Sequence, residues 1–438
     1  MYPDFRYLIH ALFGVNAPEW LGLFKTFGFM VAMGFVAATW VMVSELKRKE
    51  KQGILQPGYE EVKVGSPLTA VDLLWAAVIG FILGFKLGGF VTLHLADISQ
   101  NPMGYFLSMQ GNAWAGVIGA ALLALLKYRE KKKQTLPQVE IRKVLVYPHQ
   151  RIGEILIIAA LGGLAGAKIF NAFETWDQFI ADPIGNLTSS SGLTFYGGLI
   201  VATAVFYYFS KKHKIGFAHL CDAAAPAIMI AYGIGRLGCQ FAGDGDWGIY
   251  NSAYVTNVST GKLEPATSAQ FNEAVEKYKG YLTEGKEFQN GHLPSQRVMA
   301  PAWLPQSLFA QCYPSNINNV GMRLPNCTGD HCNVLPIGVF PTPLYEFVIC
   351  TLLFFFLWGI RKRIKIPFHF FGIYLILNGL ERFFVEHIRV NYQYNWGFIH
   401  PTQAEIIAVG LMLAGVAILV FYKGKAAPNN PPAPTPVV

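Results

Sequence analysis

Arg236 is the residue with the most chemistry to explain, because it follows a long apolar stretch. It lies in the sequence YGIGRLGCQFAGDGDWG, residues 232–248. An arginine at membrane depth costs about 2.5–3.5 kcal/mol on insertion scales and persists where it has a partner or lines a water-filled cavity. The glycines around it let a backbone or a ligand approach closely. We therefore expect a polar site around Arg236; the alternative is a snorkelling anchor at the membrane surface.

A second arginine, Arg382, belongs to the sequence ERFFVEHIR near the end of another apolar stretch. Helical spacing places Arg382, Glu386 and Arg389 on one face. The pair Tyr345-Glu346 adds a further acid at membrane depth, and such an acid needs a partner. The alternative explanation of this set is a structural ion-pair ladder.

Cations and acids on different apolar stretches at one depth suggest a site for a lipid phosphate. Arginine suits phosphate because its planar fork donates two parallel hydrogen bonds. We expect Arg236 and Arg382 to hold a phosphodiester and to stabilise the charge that builds on a leaving phosphate. Neighbouring acids would orient the arginines or act as a base. The sequence has no metal-ligand spacing.

Three further features are open to two interpretations. Asp244 and Asp246 belong to the site or are turn residues of a Gly-rich loop. The run Phe195-Tyr196-Gly197-Gly198 is a second part of the site or an interfacial aromatic anchor with a glycine packing face. Asp222, with Pro226, enters an apolar stretch and is interpreted as an N-cap.

Composition predicts a membrane protein. The chain is 53% hydrophobic and 14% charged, whereas soluble domains carry about 25% charge. Its net charge of +8 comes from short basic runs between apolar stretches. Cytoplasmic loops have this pattern, so nucleic-acid binding is excluded as the explanation. The first apolar stretch is followed by a basic run and lacks a small-residue cleavage site, so no cleavable signal peptide is expected.

The expected fold is an all-α polytopic membrane protein with about nine transmembrane helices. The predicted spans are 20–44, 69–92, 112–127, 152–173, 193–210, 219–241, 343–360, 367–389 and 402–422. Basic runs follow the odd-numbered spans, which places the N-terminus outside and the C-terminus in the cytoplasm. Residues 1–422 form the membrane domain, with residues 243–341 as an outer, periplasmic insertion between spans six and seven. Residues 423–438 form a Pro-rich cytoplasmic tail.

Two spans look like a duplication. The region 69–127 resembles 152–210, with Lys86 at the position of Lys168 and Trp114-Ala115-Gly116 at the position of Phe195-Tyr196-Gly197. Small residues in both copies predict close helix packing. The alternative is a chance likeness between glycine-rich helices.

Four cysteines are expected on the outer side, where two disulfides could form. They are Cys239, Cys312, Cys327 and Cys332, and a Cys327–Cys332 bond would close a small loop. The connectivity stays open, and an unpaired thiol is an equal alternative for Cys239. Cys221 and Cys350 are expected to be packing residues, and residues 268–286 to be a charged helix.

The site motifs resemble those of the prolipoprotein diacylglyceryl transferases, integral enzymes of the bacterial inner membrane. The matching residues are Asp222 and Pro226, Gly235-Arg236-Leu237-Gly238-Cys239, Gly243-Asp244, Trp247-Gly248, Leu344-Tyr345-Glu346, Arg382-Phe383-Phe384-Val385-Glu386 with Arg389, and Tyr196-Gly197-Gly198-Leu199. This chain departs from the family at three places: Tyr196 replaces a histidine, Cys239 replaces an asparagine, and Asn378 replaces a tyrosine. The acidic segment GDGDWG gains a residue, and the family's seven spans lack the extra pair.

The resemblance implies transfer of an sn-1,2-diacylglyceryl group from phosphatidylglycerol to the lipobox cysteine thiol of prolipoproteins. It also implies that the reaction needs no metal and no other cofactor. The implied catalytic residues are Arg236, Arg382, Glu386, Asp244 and Tyr196. The implied substrate-binding residues are Arg236, Gly197, Gly198, Gly238, Gly243, Asp246, Gly248, Tyr345, Glu346 and Arg389. Because a tyrosine of pKa about 10 is a poor base at neutral pH, Asp244, Asp246 or Glu386 would replace the histidine, or electropositive surroundings alone would form the thiolate.

Two other functions compete with this expectation. Internal repeats and glycine-broken helices also fit a lipid transporter or flippase, although this repeat is parallel rather than inverted. The substitutions at Tyr196 and Cys239 fit a catalytically idle member that binds lipids or partners. Complementation of a bacterium depleted of its own transferase distinguishes the three.

Overall fold

The structure is a computed structural model that describes residues 1–93, 98, 102–136, 138–188, 192, 194–257, 259–284, 293–325, 327, 329–391, 393–395, 397 and 399–424. The predicted Pro-rich tail therefore lies outside the described residues, apart from its first two positions. Helices make up most of the described chain. They are α1 (Phe5–Phe13), α2 (Thr26–Lys51), α3 (Ala70–Thr92), α4 (Pro102–Leu107), α5 (Ala113–Gln134), α6 (Ile152–Glu174), α7 (Trp176–Ala181), α8 (Pro183–Thr188), α9 (Phe195–Lys212), α10 (Phe217–Ala242), α11 (Ser268–Lys277), α12 (Lys279–Glu284), α13 (Thr342–Ile360), α14 (His369–Glu386) and α15 (Gln403–Phe421).

Each of the nine predicted spans coincides with a long helix in the described part of the chain. Six of these helices are long and apolar enough to cross a membrane: α2, α3, α6 with its preceding turn, α10, α13 and α15. The other three, α5, α9 and α14, carry charged residues in their last turns. The chain is therefore a multi-pass membrane protein with six candidate spanning helices by length and composition.

The described residues form two compact units. Residues 1–44 and those from 221 onward make one unit, and residues 45–220 make the other.

The unit of residues 45–220 contains two helical hairpins, α3 with α5 and α6 with α9. Each hairpin closes on a glycine: a Cβ at Gly84 would lie 2.2 Å from the Ala115 carbonyl oxygen, and one at Gly166 would lie 2.3 Å from that of Gly197. The predicted close packing is thus confirmed. The antiparallel strands β1 (Gly58–Val64) and β2 (Glu140–Val146) belong to the same unit.

A lysine holds the connection of each hairpin. Lys86 Nζ donates to the carbonyl oxygens of Tyr105, Ser108 and Gln110 at 2.7, 2.5 and 3.0 Å. Lys168 Nζ donates to the carbonyl oxygen of Asn186 at 3.1 Å. A duplication would produce such a pair of lysines at equivalent positions with similar hydrogen bonds. The duplication itself stays a prediction.

The other unit joins α10, α13, α14 and α15. Gly379 of α14 lies so close to α15 that an added Cβ would be 2.7 Å from the Ala408 carbonyl oxygen, and a Cβ at Gly233 of α10 would be 3.0 Å from Cys350 Cβ of α13. Thr402 caps α15, because its hydroxyl accepts from the Glu405 N–H at 3.2 Å. Small residues thus let these helices pack at close range.

The interpretation of Asp222 as the cap of its own helix is wrong. Asp222 lies inside α10, and its carboxylate accepts hydrogen bonds from the N–H groups of Phe368 and Phe371 at 3.1 and 3.0 Å. Both N–H groups lie at the start of α14, where the helix supplies no acceptor for its first N–H groups, and the carboxylate accepts from them as an N-cap would. Asp222 therefore caps a neighbouring helix.

Residues 243–341 form a small α/β segment with its own core. Its strands are β3 (Tyr250–Asn257), β4 (Lys262–Pro265), β5 (Ser295–Gln296), β6 (Met322–Arg323), β7 (Asn333–Val334) and β8 (Ile337–Val339). Strand β3 pairs with β4, β5 and β8, and β6 pairs with β7. The predicted helix at 268–286 appears as α11 and α12. Trp247, Tyr250, Phe271, Tyr313 and Leu335 are among the buried residues of its core.

One of the two possible disulfides is formed. Cys327 and Cys332 are bonded, whereas Cys239 and Cys312 are buried thiols outside any disulfide. Cys350 is buried in α13, as expected of a packing residue.

The disulfide closes the turn that holds α1. Within this turn, Asp330 Oδ2 accepts from Arg6 Nη2 at 3.2 Å, and the His331 N–H donates to the Tyr7 hydroxyl at 3.0 Å. The bond therefore restrains the turn that contacts the first helix of the chain.

Candidate active site

Five pieces of the chain contribute to one ion-pair cluster. Helix α10 carries Arg236, α13 carries Glu346, α14 carries Arg382, the loop after α10 carries Asp246, and the turn after α14 carries Arg389. All of them belong to the unit formed by residues 1–44 and 221 onward. The site therefore depends on tertiary packing of separate helices.

Glu346 is the centre of this cluster and is fully buried. Its Oε1 lies 3.3 Å from Arg382 Nη1 and 3.4 Å from Arg389 Nη1, and its Oε2 contacts Arg236 Nε. A buried carboxylate requires compensation, and here three guanidinium groups share it. Glu346 thereby holds Arg236, Arg382 and Arg389 within the reach of one phospholipid headgroup.

Two more acids complete the ion-pair network. Asp246 binds Arg389 Nη2 at 2.7 Å and contacts Arg236 Nη1. Glu386 lies 3.0 Å from Arg382 Nη2. The ion-pair network thus has three cations (Arg236, Arg382 and Arg389) and three carboxylates (Asp246, Glu346 and Glu386), and its charges balance.

Arg389 belongs to the cluster although it lies outside helix α14, so helical periodicity does not explain its position. The predicted span ends at residue 389, but α14 ends at Glu386. Arg389 lies in the turn beyond it, where its N–H donates to the Glu386 carbonyl oxygen at 3.1 Å. The helical-face argument therefore holds for Arg382 and Glu386, and the turn brings Arg389 back to the site.

Arg236 keeps a donor available. It is 9% exposed, and its Nη2 has no hydrogen-bond partner among the described residues. An unsatisfied buried guanidinium N–H is costly, so a ligand that accepts a hydrogen bond there would be stabilised. This donor is the clearest sign of an anion site in the cluster.

Asp244 and Asp246 have opposite environments. Burial raises the pKa of Asp244, which makes no ion pair within the described residues. Burial would also raise the pKa of Asp246, but the Arg389 and Arg236 guanidinium groups outweigh it and lower that pKa. Asp246 is thus held as a carboxylate, while Asp244 titrates in a higher range.

Cys239 lies between these groups. Its Sγ is 3.4 Å from Arg236 Nη1 and lies near the Asp244 carboxylate. The ligand atoms of Cys239, Asp244 and Asp246 lie within 4.8 Å of one another, as metal ligands would. Arg236 Nη1 contacts both Cys239 and Asp246, so a cation of the protein itself already compensates this donor set.

Glycines shape the loop after α10. Gly243 and Gly245 have φ of +65° and +98°, a conformation that side chains with a Cβ rarely adopt. A Cβ at Gly248 would lie 2.5 Å from the Ile388 carbonyl oxygen, and one at Gly238 would lie 3.0 Å from Met30 Cβ. Gly243, Gly245 and Gly248 fold and pack the loop, whereas Gly238 packs α10 against α2. The contact of these glycines with substrate stays a prediction.

Tyr345 and Gly198, two of the remaining predicted site residues, make backbone and packing contacts. Tyr345 donates its hydroxyl hydrogen to the Leu308 carbonyl oxygen at 2.5 Å, away from the ion pairs. Tyr196, Gly197 and Gly198 begin α9 in the unit of residues 45–220. There Gly198 packs against α6, since its Cβ would lie 2.9 Å from the Gly163 carbonyl oxygen.

Sequence reasoning missed three residues at the site. Glu381 is 5% exposed, and neither carboxylate oxygen has a hydrogen-bond partner among the described residues; an acid beside Arg382 at membrane depth was a sufficient signal. Asn391 donates to Glu386 Oε1 at 2.6 Å, and Thr342 donates to the Asp246 carbonyl oxygen at 2.8 Å. Neither of these has a sequence signal.

Comparison with known proteins identifies the family of the chain. Similar proteins named phosphatidylglycerol–prolipoprotein diacylglyceryl transferase occur in Leptospira interrogans (25% identity, 74% of this chain and 94% of the relative), Chlorobaculum tepidum (24%, 75% and 91%) and Xanthomonas oryzae pv. oryzae (25%, 63% and 75%). The sequence model of the family, described as prolipoprotein diacylglyceryl transferase, matches residues 138–421. This match begins after the predicted extra helix pair and includes every residue of the ion-pair network, and the chain belongs to that family.

Proposed function

We propose that this chain transfers the sn-1,2-diacylglyceryl group of phosphatidylglycerol to the thiol of a lipobox cysteine in prolipoproteins. The names of its relatives support the reaction. The observation that carries the proposal is the convergence of Arg236, Arg382 and Arg389 on the buried Glu346. Three arginines at one point suit a phosphodiester better than any neutral substrate.

The proposed reaction is a nucleophilic displacement at the glycerol carbon that carries the phosphate. The thiolate sulfur forms a thioether bond to that carbon, the carbon–oxygen bond breaks, and glycerol 1-phosphate leaves with the electron pair. A carboxylate takes the thiol proton. The two tasks of the protein are therefore to stabilise the leaving phosphate and to deprotonate the thiol.

Arg236 and Arg382 stabilise the phosphate in this proposal. The free Nη2 donor of Arg236 supports its contact with a phosphate oxygen. Arg382 bridges Glu346 and Glu386, which fixes its guanidinium plane before the substrate arrives. Such preorganisation lets the donors act on the leaving group without reorientation.

Asp244 is the best placed base among the carboxylates. Asp246 is engaged by two arginines, and Glu386 is engaged by Arg382 and Asn391. Asp244 has no ion pair in the described chain, and its carboxylate lies within 4.8 Å of a thiol sulfur, that of Cys239. Burial also raises the pKa of Asp244, which favours proton uptake.

We predict that the pH profile of kcat/KM has an acidic limb set by Asp244. Because burial raises the pKa of Asp244, its basic form is lost as pH falls through a value above the ordinary aspartate pKa of about 3.9. Asp246, whose pKa is lowered, stays ionised through this range. The measurement is thioether formation on a lipobox peptide between pH 4 and 8. Asp244→Asn should be slow and lack the limb; an unchanged limb in this variant would assign the base to another group.

A second prediction concerns Asp246, whose carboxylate takes up arginine donors that a phosphate would use. It is 38% exposed and follows two glycines of positive φ, so it can move aside more readily than the buried Glu346. Asp246→Asn removes one negative charge and leaves Glu346 on both arginines. We expect the KM for phosphatidylglycerol to fall several-fold with kcat little changed, measured in mixed micelles.

The matched control for this variant is Asp330→Asn, which breaks an ion pair with Arg6 away from the site. It should leave the KM unchanged. A tenfold rise in KM for Asp246→Asn would mean that Asp246 positions the arginines and does not compete with the phosphate.

The membrane arrangement is part of the proposal. The nine long helices would all span the bacterial inner membrane, with the N-terminus in the periplasm and the C-terminus in the cytoplasm. Residues 243–341 would be a periplasmic segment, and residues 69–127 an added helix pair copied from 152–210. Membrane lipids, phosphatidylglycerol and lipobox peptides would be the partners, with no nucleic acid.

Complementation tests the proposed function. The chain is expressed in a bacterium depleted of its own transferase, and thioether-linked diacylglycerol is measured on a reporter prolipoprotein. We expect growth and thioether product. Lipid transport without product would favour a transporter, and stable expression with neither would indicate an idle family member.

A further inference from the structure

An uncharged loop, formed by residues 298–309, projects from the segment 243–341. Its sequence is VMAPAWLPQSLF, without a single charged residue. Two of its large apolar side chains are exposed: Met299 by 53% and Trp303 by 80%. Exposed tryptophan on an otherwise polar segment is costly unless something apolar covers it.

One buried side chain holds the two ends of the loop. Asn251 is fully buried in β3, and its Nδ2 donates to the carbonyl oxygens of Val298 and Phe309 at 2.9 and 3.0 Å. Its Oδ1 accepts from the Val298 N–H at 3.1 Å. Both ends of the loop are therefore tied to a single amide.

The body of the loop is ordered by turns. The Leu304 N–H donates to the Pro301 carbonyl oxygen at 3.0 Å, and that of Leu308 donates to Pro305 at 3.1 Å. The Ala300 N–H donates to the Tyr254 hydroxyl at 2.8 Å. Hydrogen bonds thus hold the backbone on both sides of Trp303.

The base of the loop lies at the level where α13 begins. The Tyr345 hydroxyl donates to the Leu308 carbonyl oxygen at 2.5 Å, and Tyr345 is the fourth residue of α13, one of the candidate spanning helices. The end of a spanning helix lies at the membrane–water interface. Tryptophan is enriched at this level because its ring is apolar and its N–H is polar.

We infer that the loop of residues 298–309 is a membrane-interface anchor that inserts Met299 and Trp303 into the leaflet at the N-terminal end of α13. Its ligand is the headgroup and upper acyl region of phospholipids. Anchoring would fix the segment 243–341 against the bilayer beside the site, since Tyr345 and Glu346 are adjacent in α13.

The observations favour lipid over a substrate peptide. An apolar peptide helix binds in a groove that covers one of its faces, whereas Trp303 is 80% exposed at the tip of a projecting loop. The loop also lacks charges that would orient a peptide with a basic N-terminal region.

Cysteine accessibility tests the inference on the full chain in nanodiscs of phosphatidylethanolamine and phosphatidylglycerol. Trp303→Cys is compared with Glu273→Cys, which lies at an exposed position of α11. With a charged maleimide added in water, we expect modification of residue 303 to be at least tenfold slower than that of residue 273. Equal rates would overturn the inference, because the loop would then be in water.

A photocrosslinker identifies what covers the loop. p-Benzoylphenylalanine at position 303 should crosslink to phospholipid, with or without a lipobox peptide, and the same group at position 273 should not. A crosslink to the peptide in place of lipid would overturn the inference and assign the loop to substrate docking. The result is independent of the transfer reaction, because neither measurement depends on activity.

Discussion

Arg236→Ala is expected to slow diacylglyceryl transfer by at least about a hundredfold, because it removes preorganised donors to the leaving phosphate. A hundredfold loss corresponds to about 2.7 kcal/mol of transition-state stabilisation. Arg236→Lys should recover little of this rate: an ammonium keeps the charge but cannot contact Glu346, Asp246 and a phosphate with one planar fork. The measurement is thioether formation on a lipobox peptide at saturating phosphatidylglycerol.

The control for Arg236 is Arg142→Ala. Arg142 is 59% exposed on β2, where it pairs with Glu140 at 2.7 Å, and exposed pairs of this kind contribute little. Its transfer rate should equal that of the wild type. If Arg236→Ala lipidates at the wild-type rate, the phosphate site proposed around this residue is wrong.

The sequence predicted those residues of the site that are charged and lie within apolar stretches. Arginines and acids are conspicuous in apolar stretches, because each needs a partner at membrane depth. Arg236, Glu346 and Arg382 could thus be expected to meet although about 150 positions separate the first from the last. Their common partner could not be predicted, since only the packing of α10, α13 and α14 decides which carboxylate becomes the centre.

The positions of two residues could not be predicted, because they depend on how the chain folds and not on local sequence patterns. Asp222 resembles an ordinary N-cap, yet it caps a helix 146 positions away. Arg389 fits a helical face, yet it follows the end of α14. Local patterns describe neighbours along the chain, whereas these residues are placed by tertiary contacts.

The fold was more predictable than its details. Long apolar stretches between basic runs predicted the nine long helices of the described chain, with ends that differ from the observed ones by up to about seven residues. The small strands of residues 243–341 could not be found, because β5, β6 and β7 contain two residues each. Strands this short carry no alternation that a pattern could reveal.

Glu346→Gln should have the largest effect on stability. Glu346 is fully buried and is shared by three guanidinium groups. Removal of one partner from a buried ion pair costs about 3–5 kcal/mol, because the remaining charge is left uncompensated. Here Arg236 and Arg389 retain Asp246, and Arg382 retains Glu386, so we expect the lower part of that range. The measurement is unfolding in detergent, compared with the transfer rate of the fraction that stays folded.

The two readouts separate support of the fold from support of the reaction. In the folded fraction of Glu346→Gln, the arginines lose their common anchor, so the transfer rate should still fall at least tenfold. The control is Glu140→Gln, which removes the exposed partner of Arg142. It should change neither the stability nor the transfer rate. A folded Glu346→Gln protein with the wild-type rate would show that Asp246 and Glu386 suffice to position the arginines. Asp246 and Glu386, and not the buried Glu346, would then be the residues that position the arginines.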